Sequence, residues 1–551
     1  MLGVGASVLA LSSHGTAGRD LGAAHASGVV FEDRNGSGCR RPGDPGIADV
    51  MVSNGRDVIR TDSEGRWSLP VASGDHLFVI KPSNWTTPGG PGGVPRSSHL
   101  HQPLGSPAEI NARYPGVLPT GPLPESIDFP LRRAQESTRF EALLLTDSQP
   151  QDAAELQYFR DDIIAGAITA DCAFGIHHGD VMFDDLSLYD RYLRILETTQ
   201  MPWHHCAGNH DINFEARNDL TSRETWKRVF GPRHYAFQHG GATFIVLDNV
   251  YYMGRNPGSA QSGHYRGSIG SDQLRFISNV LDHVAPDALV VVSMHIPLVS
   301  SQMPVDPAHT TVDCGALMGL LSGRPHTVSF AGHMHTTEYH YLGADRGFGG
   351  PGLHHHHILT AASGSWWSGP KDRRGVPMAD SVDGTPNGFH VLSIDGNRYS
   401  TRLVPAAEKA SGQMRIVING PASSRQGGSV ALPGSAIAVD ALAQCEIVVN
   451  VFDGGPRTAV SCEVAGRDLG VVAMQRVAAP DPLMVRLFAE HVPACKSWVQ
   501  AVESTHIWKA PVPSGLGPGT YRVTARARDE YGRPHTAHTV LEVAERAGVP
   551  V

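Results

Sequence analysis

The sequence predicts an α/β domain held between two all-β modules. Three observations carry this. From Phe140 onward, buried apolar runs (EALLLTD, DCAFGIHHGD, PWHHCAGNHD, TFIVLDN, ALVVVSMH, TVSFAGHMH) alternate with amphipathic helical stretches, the pattern of strand and helix layers. On either side, short β-rich runs are split by Gly, Pro, Asn and Asp clusters, the rhythm of antiparallel sandwiches. The chain has 551 residues with 61 Gly and 39 Pro, a length that accommodates several domains and a turn content that disfavours helix bundles.

In chain order, residues 1–26 read as a signal peptide or a disordered tail. Met1 to Ser13 is an apolar run, and Ala24-His25-Ala26 has the small-residue form of a cleavage site, although no positively charged segment precedes the run. Export to a periplasmic or extracellular space is therefore expected. No stretch reaches about 18 consecutive apolar residues, so no transmembrane segment is expected. Residues 27–100 form the first β module, and 101–137, rich in Pro, Gly and Ser, a linker. The α/β domain spans 138–408, with helices at about 151–165, 186–199 and 271–283. A second β module, Ig-like in strand count and spacing, takes up 409–551.

Hydrophobic residues at 41% and charged residues at 18% describe an ordinary globular chain, and a net charge of −9 gives no general attraction for nucleic acid or anionic membrane. A nuclease would need a basic patch that this balance lacks. Of the 29 histidines, 20 lie between residues 138 and 405, which directs metal or acid–base chemistry to the central domain. The seven cysteines show no C-x-x-C and no zinc-ribbon spacing. Cys445, Cys462 and Cys495 leave room for one disulfide, with no connectivity to be read.

Five blocks of metal-ligand residue types stand at the strand ends: Asp147-Ser-Gln149, Gly179-Asp180, Gly208-Asn209-His210-Asp211, His295 and Gly332-His333-Met-His335. Side chains two apart on an extended chain point the same way, so Asp147 with Gln149, and His333 with His335, can each converge. The strands LLL, CAFGI and VVVSM would bring these tips to one edge of a sheet, where ligands gather in layered α/β folds. An oxygen- and nitrogen-rich set of this size can hold two divalent ions with one shared carboxylate.

These blocks resemble the calcineurin-like metallophosphoesterase superfamily, whose pattern D-x-H, G-D, G-N-H-[DE], H, G-H-x-H they meet in order. The departure is Gln149 in place of a frequent His, and an amide oxygen can still ligate such an ion. FGPRHYAFQHGGATFIVLDN, GHYRGSIGSDQLRFI, GSWWSG, DGTPNGF and the tail HIWKAPVPSGLGPGTYRVTARARDEYGR are similar to a bacterial branch with a transthyretin-like N-terminal β domain and a C-terminal β domain. The resemblance implies a four-layer α/β/β/α catalytic domain flanked by two β sandwiches. It further implies two divalent ions (Mn, Fe, Zn or similar), the first held by Asp147, Gln149, Asp180 and His335 and the second by Asp180, Asn209, His295 and His333. A bridging hydroxide would attack a phosphate mono- or diester, with His210 donating to the leaving oxygen or stabilising the equatorial charge and Asp184 or Asp211 orienting it. The expected export suggests phosphosugars, nucleotides or phospholipid head groups as substrates; no residue is assigned to substrate binding.

Other signals have plainer readings. His177, His178, His204 and His205 are expected to support the ligands or to be structural rather than to join them, because the ligand set is complete without them. The internal run His354 to His357 reads as exposed loop histidines ahead of an accessory metal site. Cys206 reads as buried filler. Trp366 and Trp367 either wall a cleft or pack an interface. The rival to an enzyme is a cell-surface protein whose β modules bind glycan or protein around a vestigial centre, and the retention of every ligand type speaks against it.

Overall fold

The short β runs at the start of the chain pair as the turns between them dictate. The computed structural model describes residues 24–255, 263–406, 412–420, 436–465 and 470–545. Its first sheet has the order Arg66–Val71, Ala24–Glu32, Phe129–Arg133, Trp85–Thr86, and its second Val58–Arg60, Met51–Ser53, Asp75–Val79, Ser98–His101. Alternating inward side chains, among them Val30, Val52, Trp67, Leu69, Leu77, Val79, Phe129 and Leu131, form one core between the two sheets. Phe129–Arg133 lies in the stretch expected to be a linker. It pairs in parallel with Val30–Glu32, because Phe129 and Leu131 add apolar side chains that the sheet needs. Ala24, His25 and Ala26 already belong to the first strand, opposite Val71, Pro70 and Leu69. The apolar run at 1–13 lies outside the described residues.

The central segment holds two sheets. One runs Trp203–His205, Phe174–His177, Arg139–Leu145, Gly388–Asp395, Arg398–Pro405; the other runs Tyr235–His239, Ala242–Val246, Val290–Ser293, Thr327–Ala331, His354–Ile358, Glu338–Leu342. Ala142, Leu144, Phe174 and Ile176 of the first meet Phe244, Val246, Val291, Val328 and Phe330 of the second. The outer face of the first is covered by the helical stretch Ala153–Tyr158, Phe159–Ile164 and Ala165–Ala167 and by the helix Tyr189–Glu197. The outer face of the second is covered by the helices Gly270–Leu281 and Cys314–Leu321. Asp152 opens the first helical stretch by accepting the amides of Ala154 and Glu155, a side-chain cap that satisfies two otherwise orphaned donors.

Three neighbouring strands of the first sheet and four of the second are parallel. Parallel strands covered on both faces require near-continuous apolar runs, which is why LLL and VVV occur here. Parallel pairing also sends all their C-terminal ends the same way. The loops after Leu145, His177, His205, Ser293 and Ala331 therefore emerge at one edge.

The His354 to His357 run departs from expectation. It is a buried strand, His354–Ile358, between Thr327–Ala331 and Glu338–Leu342. His354, His355 and His356 find hydrogen-bond partners there, while the His357 ring packs on Tyr339. His354 contacts Thr327 Oγ1 and Ser329 Oγ at 2.8 Å each, His356 meets Ser329 Oγ at 2.7 Å and accepts the Leu298 amide, and His355 meets the Tyr399 hydroxyl at 2.8 Å.

The last segment again pairs two sheets, Met414–Asn419, Glu446–Val451, Glu503–Pro511, Gln475–Pro480 and Ile437–Ala438, Pro534–Ala544, Gly519–Arg528, Ala459–Val464, Val471–Ala473, around Ile447, Val449, Trp508, Val523 and Val543. All seven cysteines are free, so the disulfide allowed for among the last three does not form. Cys445 and Cys462 sit in that core, while Cys495 packs elsewhere beside Val499 and Phe488. Among the described residues, no helix is long and apolar enough to cross a membrane.

Candidate metal centre

The five strand-end loops meet. Their backbone is strained where they do: of eleven non-glycine residues with positive φ among those described, eight are Asp147, Gln149, Asp180, Asp184, His333, His335, Trp366 and Trp367. Such conformations cost free energy and persist at sites where surrounding structure holds them for a purpose. Two glycines are required by close approach. A Cβ on Gly208 would overlap the backbone nitrogen and Oδ1 of Asp180, and one on Gly332 would overlap the hydroxyl of Thr146 and Oδ2 of Asp147.

The three imidazoles share one arrangement. His295 gives Nδ1 to the His178 carbonyl at 2.8 Å, His333 gives Nε2 to the Ala308 carbonyl at 3.1 Å, and His335 gives Nδ1 to the Gly364 carbonyl at 2.6 Å. A carbonyl only accepts, so each neutral ring carries its proton on that nitrogen and turns a lone pair inward. What those lone pairs face are more acceptors. His295 Nε2 lies 3.0 Å from Asn209 Oδ1 and 3.2 Å from Asp180 Oδ1, and His335 Nε2 lies 3.6 Å from Asp147 Oδ1. Asp180, His295 and His333 place a ligand atom each within 4.8 Å of one another. Gln149 donates Nε2 to Asp180 Oδ2 at 2.8 Å, which leaves its Oε1, like Asp147 Oδ1, buried without a partner.

Acceptors crowded against acceptors require positive charge. In the protein alone a proton supplies part of it: burial lowers the His295 pKa, but the charge and hydrogen bond of Asp180 outweigh this and lift it to about 9. Burial pushes the Asp147 carboxyl up. The donor set, the orphaned oxygens and the carbonyl-fixed tautomers fit divalent cations, whose histidine ligands are held through their second nitrogen in this way.

His210 stands at the rim, its side chain 23% exposed, with Nδ1 2.7 Å from Asp184 Oδ1 and its amide donated to Asp180 Oδ1. Burial would lower its pKa, yet Asp180 and Asp184 together raise it to about 9. Of the two carboxylates considered as its orienting partner, Asp184 fills that place. Asp211 instead accepts the amides of Val181 and Gly208 and the Tyr189 hydroxyl, tying the 208–211 loop to the 180–182 loop.

The buried Arg223 fixes the same loop. Its Nη1 donates to the carbonyls of Gly208 and Asp211 at 2.8 Å each, while Nε and Nη2 grip Asp248 at 3.1 Å. Sequence reasoning did not single it out, since a lone arginine outside any motif carries no signal. Arg223→Met is expected to lower the unfolding free energy by about 1–3 kcal/mol, the cost of leaving the buried Gly208 and Asp211 carbonyls without their donor while Asp248 keeps Arg233 at 2.8 Å. Denaturant unfolding monitored by fluorescence measures this.

The neighbouring histidines make contacts of their own. His177 Nε2 meets Ser148 Oγ, His178 sits between the Leu145 carbonyl and Ser293 Oγ, His204 stacks on Phe237 and His205 meets the Tyr192 hydroxyl. Cys206 is fully buried. The two tryptophans divide their roles. Trp367 donates Nε1 to the Ser148 carbonyl, whereas Trp366 stacks on His335 with ring centroids 3.8 Å apart. Phe183, stacked on His210 at 4.4 Å, and Trp498 of the last segment also line this region and carried no sequence signal.

A second His/Asp cluster, His357, His390 and Asp453, lies buried between the central sheets and the last segment. Like the first it has buried polar atoms without partners, but it differs in the tautomer of one ring. His390 Nε2 accepts the Thr360 amide at 3.3 Å, so its proton sits on Nδ1, the nitrogen facing Asp453 at 3.9 Å. That nitrogen has no lone pair for a cation.

Residues 356–535 match the family described as the C terminal of Calcineurin-like phosphoesterase. No curated protein matches the chain. Among solved structures, the purple acid phosphatase PPD1 isolated from yellow lupin (Lupinus luteus) seeds aligns with 11% identity over 65% of this chain and 67% of that chain, with a TM-score of 0.33.

Proposed function

We propose that this chain, a member of the calcineurin-like metallophosphoesterase superfamily, is a metal-dependent hydrolase of phosphate mono- or diesters. The observation that carries the reading is the set of three histidines, each fixed through one nitrogen by a backbone carbonyl, with the other nitrogen of His295 and His335 facing carboxylate oxygens and His333 grouped with Asp180 and His295. In this reading two ions are held, one by Asp147, Gln149, Asp180 and His335 and the other by Asp180, Asn209, His295 and His333. When bound, such ions polarise a phosphoryl oxygen and lower the pKa of a coordinated water. His210, fixed by Asp184 at the rim, holds a proton on the side from which an ester oxygen departs and gives it to that oxygen.

The reading takes the central segment as a four-layer α/β/β/α body and the flanking pairs of sheets as two β sandwiches. Export to a periplasmic or extracellular space belongs to the same proposal, on the strength of the apolar run at 1–13.

The test is hydrolysis of matched p-nitrophenyl phosphate monoester and diester by chelator-stripped protein, with Mn²⁺, Zn²⁺, Fe²⁺ or Mg²⁺ restored. Metal-dependent turnover that falls about 10²–10⁴-fold in His210→Ala is expected, the usual worth of a positioned general acid. The ratio of monoester to diester turnover selects the substrate class. Folded protein that binds the ions and turns over neither ester would favour the binding-protein alternative.

A further inference from the structure

An aromatic surface spans the rim of the metal centre from His335 to His210. Trp366 stacks on His335 with an interplanar angle of 17°, and Phe183 stacks on His210 at 26°. Between them stands Trp498, with ring centroids 5.9 Å from Phe183 and nearly parallel to it, and 6.3 Å from Trp366 and nearly perpendicular. Trp498 belongs to the last segment of the chain, yet it meets rings that touch a candidate ligand on one side and the candidate proton donor on the other.

Its placement is fixed from below. The Lys496 amide donates to Ser368 Oγ at 3.0 Å, its Nζ pairs with Glu155 at 2.6 Å, and the Gly369 amide donates to the Ala494 carbonyl at 3.0 Å. Residues 494–498 are thereby tied to the loop that carries Trp366. Lys496 Nζ lies over the ring 5.9 Å from its centroid, and about half of the side chain remains open to solvent. Trp498 is 47% exposed and is the one tryptophan among the exposed large hydrophobic residues described. Bulky aromatic side chains are mostly covered in a folded chain, and one that is held rigidly open beside a polar cleft offers its face to a ligand.

We propose that Trp498, with Phe183 and Trp366, is the subsite for the organic part of the phosphate ester, and that this part carries a ring with a face that can stack. The inference rests on the phosphoesterase reading and deepens it. A ring face, whether the π face of a nucleoside base or the C–H face of a pyranose, covers the open indole, whereas an acyclic alcohol such as glycerol has no face to lay on it. Stacking beside His210 also orients the ester oxygen toward the donor, so ring contact aids positioning as well as binding.

The experiment compares glyceryl, glucosyl and nucleoside phosphate esters, in whichever of the mono- or diester series the metal-loaded full chain turns over. Each ester serves as its own reference between wild type and variant, which cancels differences in intrinsic reactivity. Trp498→Ala is expected to reduce the ratio of ring-bearing to glyceryl kcat/KM about tenfold, mainly through KM, and Trp498→Phe to restore most of it. The ring ester that loses more, glucosyl or nucleoside, identifies the ring. An active enzyme whose ratio is unmoved by Trp498→Ala overturns the inference. A metal-loaded wild type inactive on every ester overturns the phosphoesterase reading beneath it, a separately recognisable result.

Discussion

Asp180→Asn is expected to remove at least one metal ion per chain and to lower kcat by about 10³-fold or more, the rate equivalent of losing several kcal/mol of electrostatic stabilisation. Asp180 is the side chain that the other four loops approach, the 332–335 loop through His333. Its Oδ1 takes the His210 amide and faces His295 Nε2, and its Oδ2 takes Gln149 Nε2. Asparagine preserves shape and one acceptor oxygen, so the His210 amide keeps its partner and the fold has little reason to change. What disappears is the charge that lets two cations approach each other. Metal content by elemental analysis and kcat on the preferred p-nitrophenyl ester measure the two consequences separately. A variant that retains both full metal content and full kcat would show that the carboxylate is not shared.

The strand-end blocks were legible in the sequence because each lies at a change of pattern, where an apolar run stops and a polar residue with ligand chemistry begins. Parallel pairing then converts a list of strand ends into one edge, as the common direction of the strands ending at Leu145, His177, Ser293 and Ala331 illustrates. The helices expected near 151–165, 186–199 and 271–283 were legible for the related reason of 3.6-residue spacing, clearest in the buried set Tyr189, Tyr192, Leu193, Leu196, whereas Cys314–Leu321 and Pro482–Glu490 were not.

Other features depended on contacts between distant segments. Nothing local tells that four consecutive histidines are interior, since their burial relies on Thr327, Ser329, Tyr339 and Tyr399 supplying hydroxyls and ring faces from other strands. Phe129–Arg133 was obscured by the Pro- and Gly-rich stretch before it, because a strand that completes a sheet after a long excursion has no turn signal of its own. Trp498 lies 318 positions from Asp180 in the numbering, and only the seating of the last segment on the central one brings it to the rim.

The second large effect is acid sensitivity, and it originates away from the metal centre. His76, His204, His205 and His354 are buried. Burial lowers the pKa of each. Lys227 adds to the effect at His76 and His205 at His204, and His205 and His354 fall to about 3. An unfolded histidine titrates near about 6.5. Below that pH the unfolded chain therefore binds protons that the folded chain refuses, so the stability these groups contribute is complete above about 6.5 and is lost as pH falls toward the folded values. Each such imidazole costs about 1.4 kcal/mol per pH unit, and four of them between pH 6.5 and 5 cost on the order of 8 kcal/mol, comparable with the whole stability of a typical domain. Chelator-stripped protein, used so that metal release does not contribute, is expected to show a Tm that falls steeply from pH 6.5 and to unfold near pH 5 at room temperature. His354→Gln keeps a polar partner for Thr327 and Ser329 and removes one titrating group, so its Tm should depend less steeply on pH than that of the wild type. A Tm that stays level from pH 7 to 5 would mean that these imidazoles reach solvent, or gain protons, without unfolding the chain.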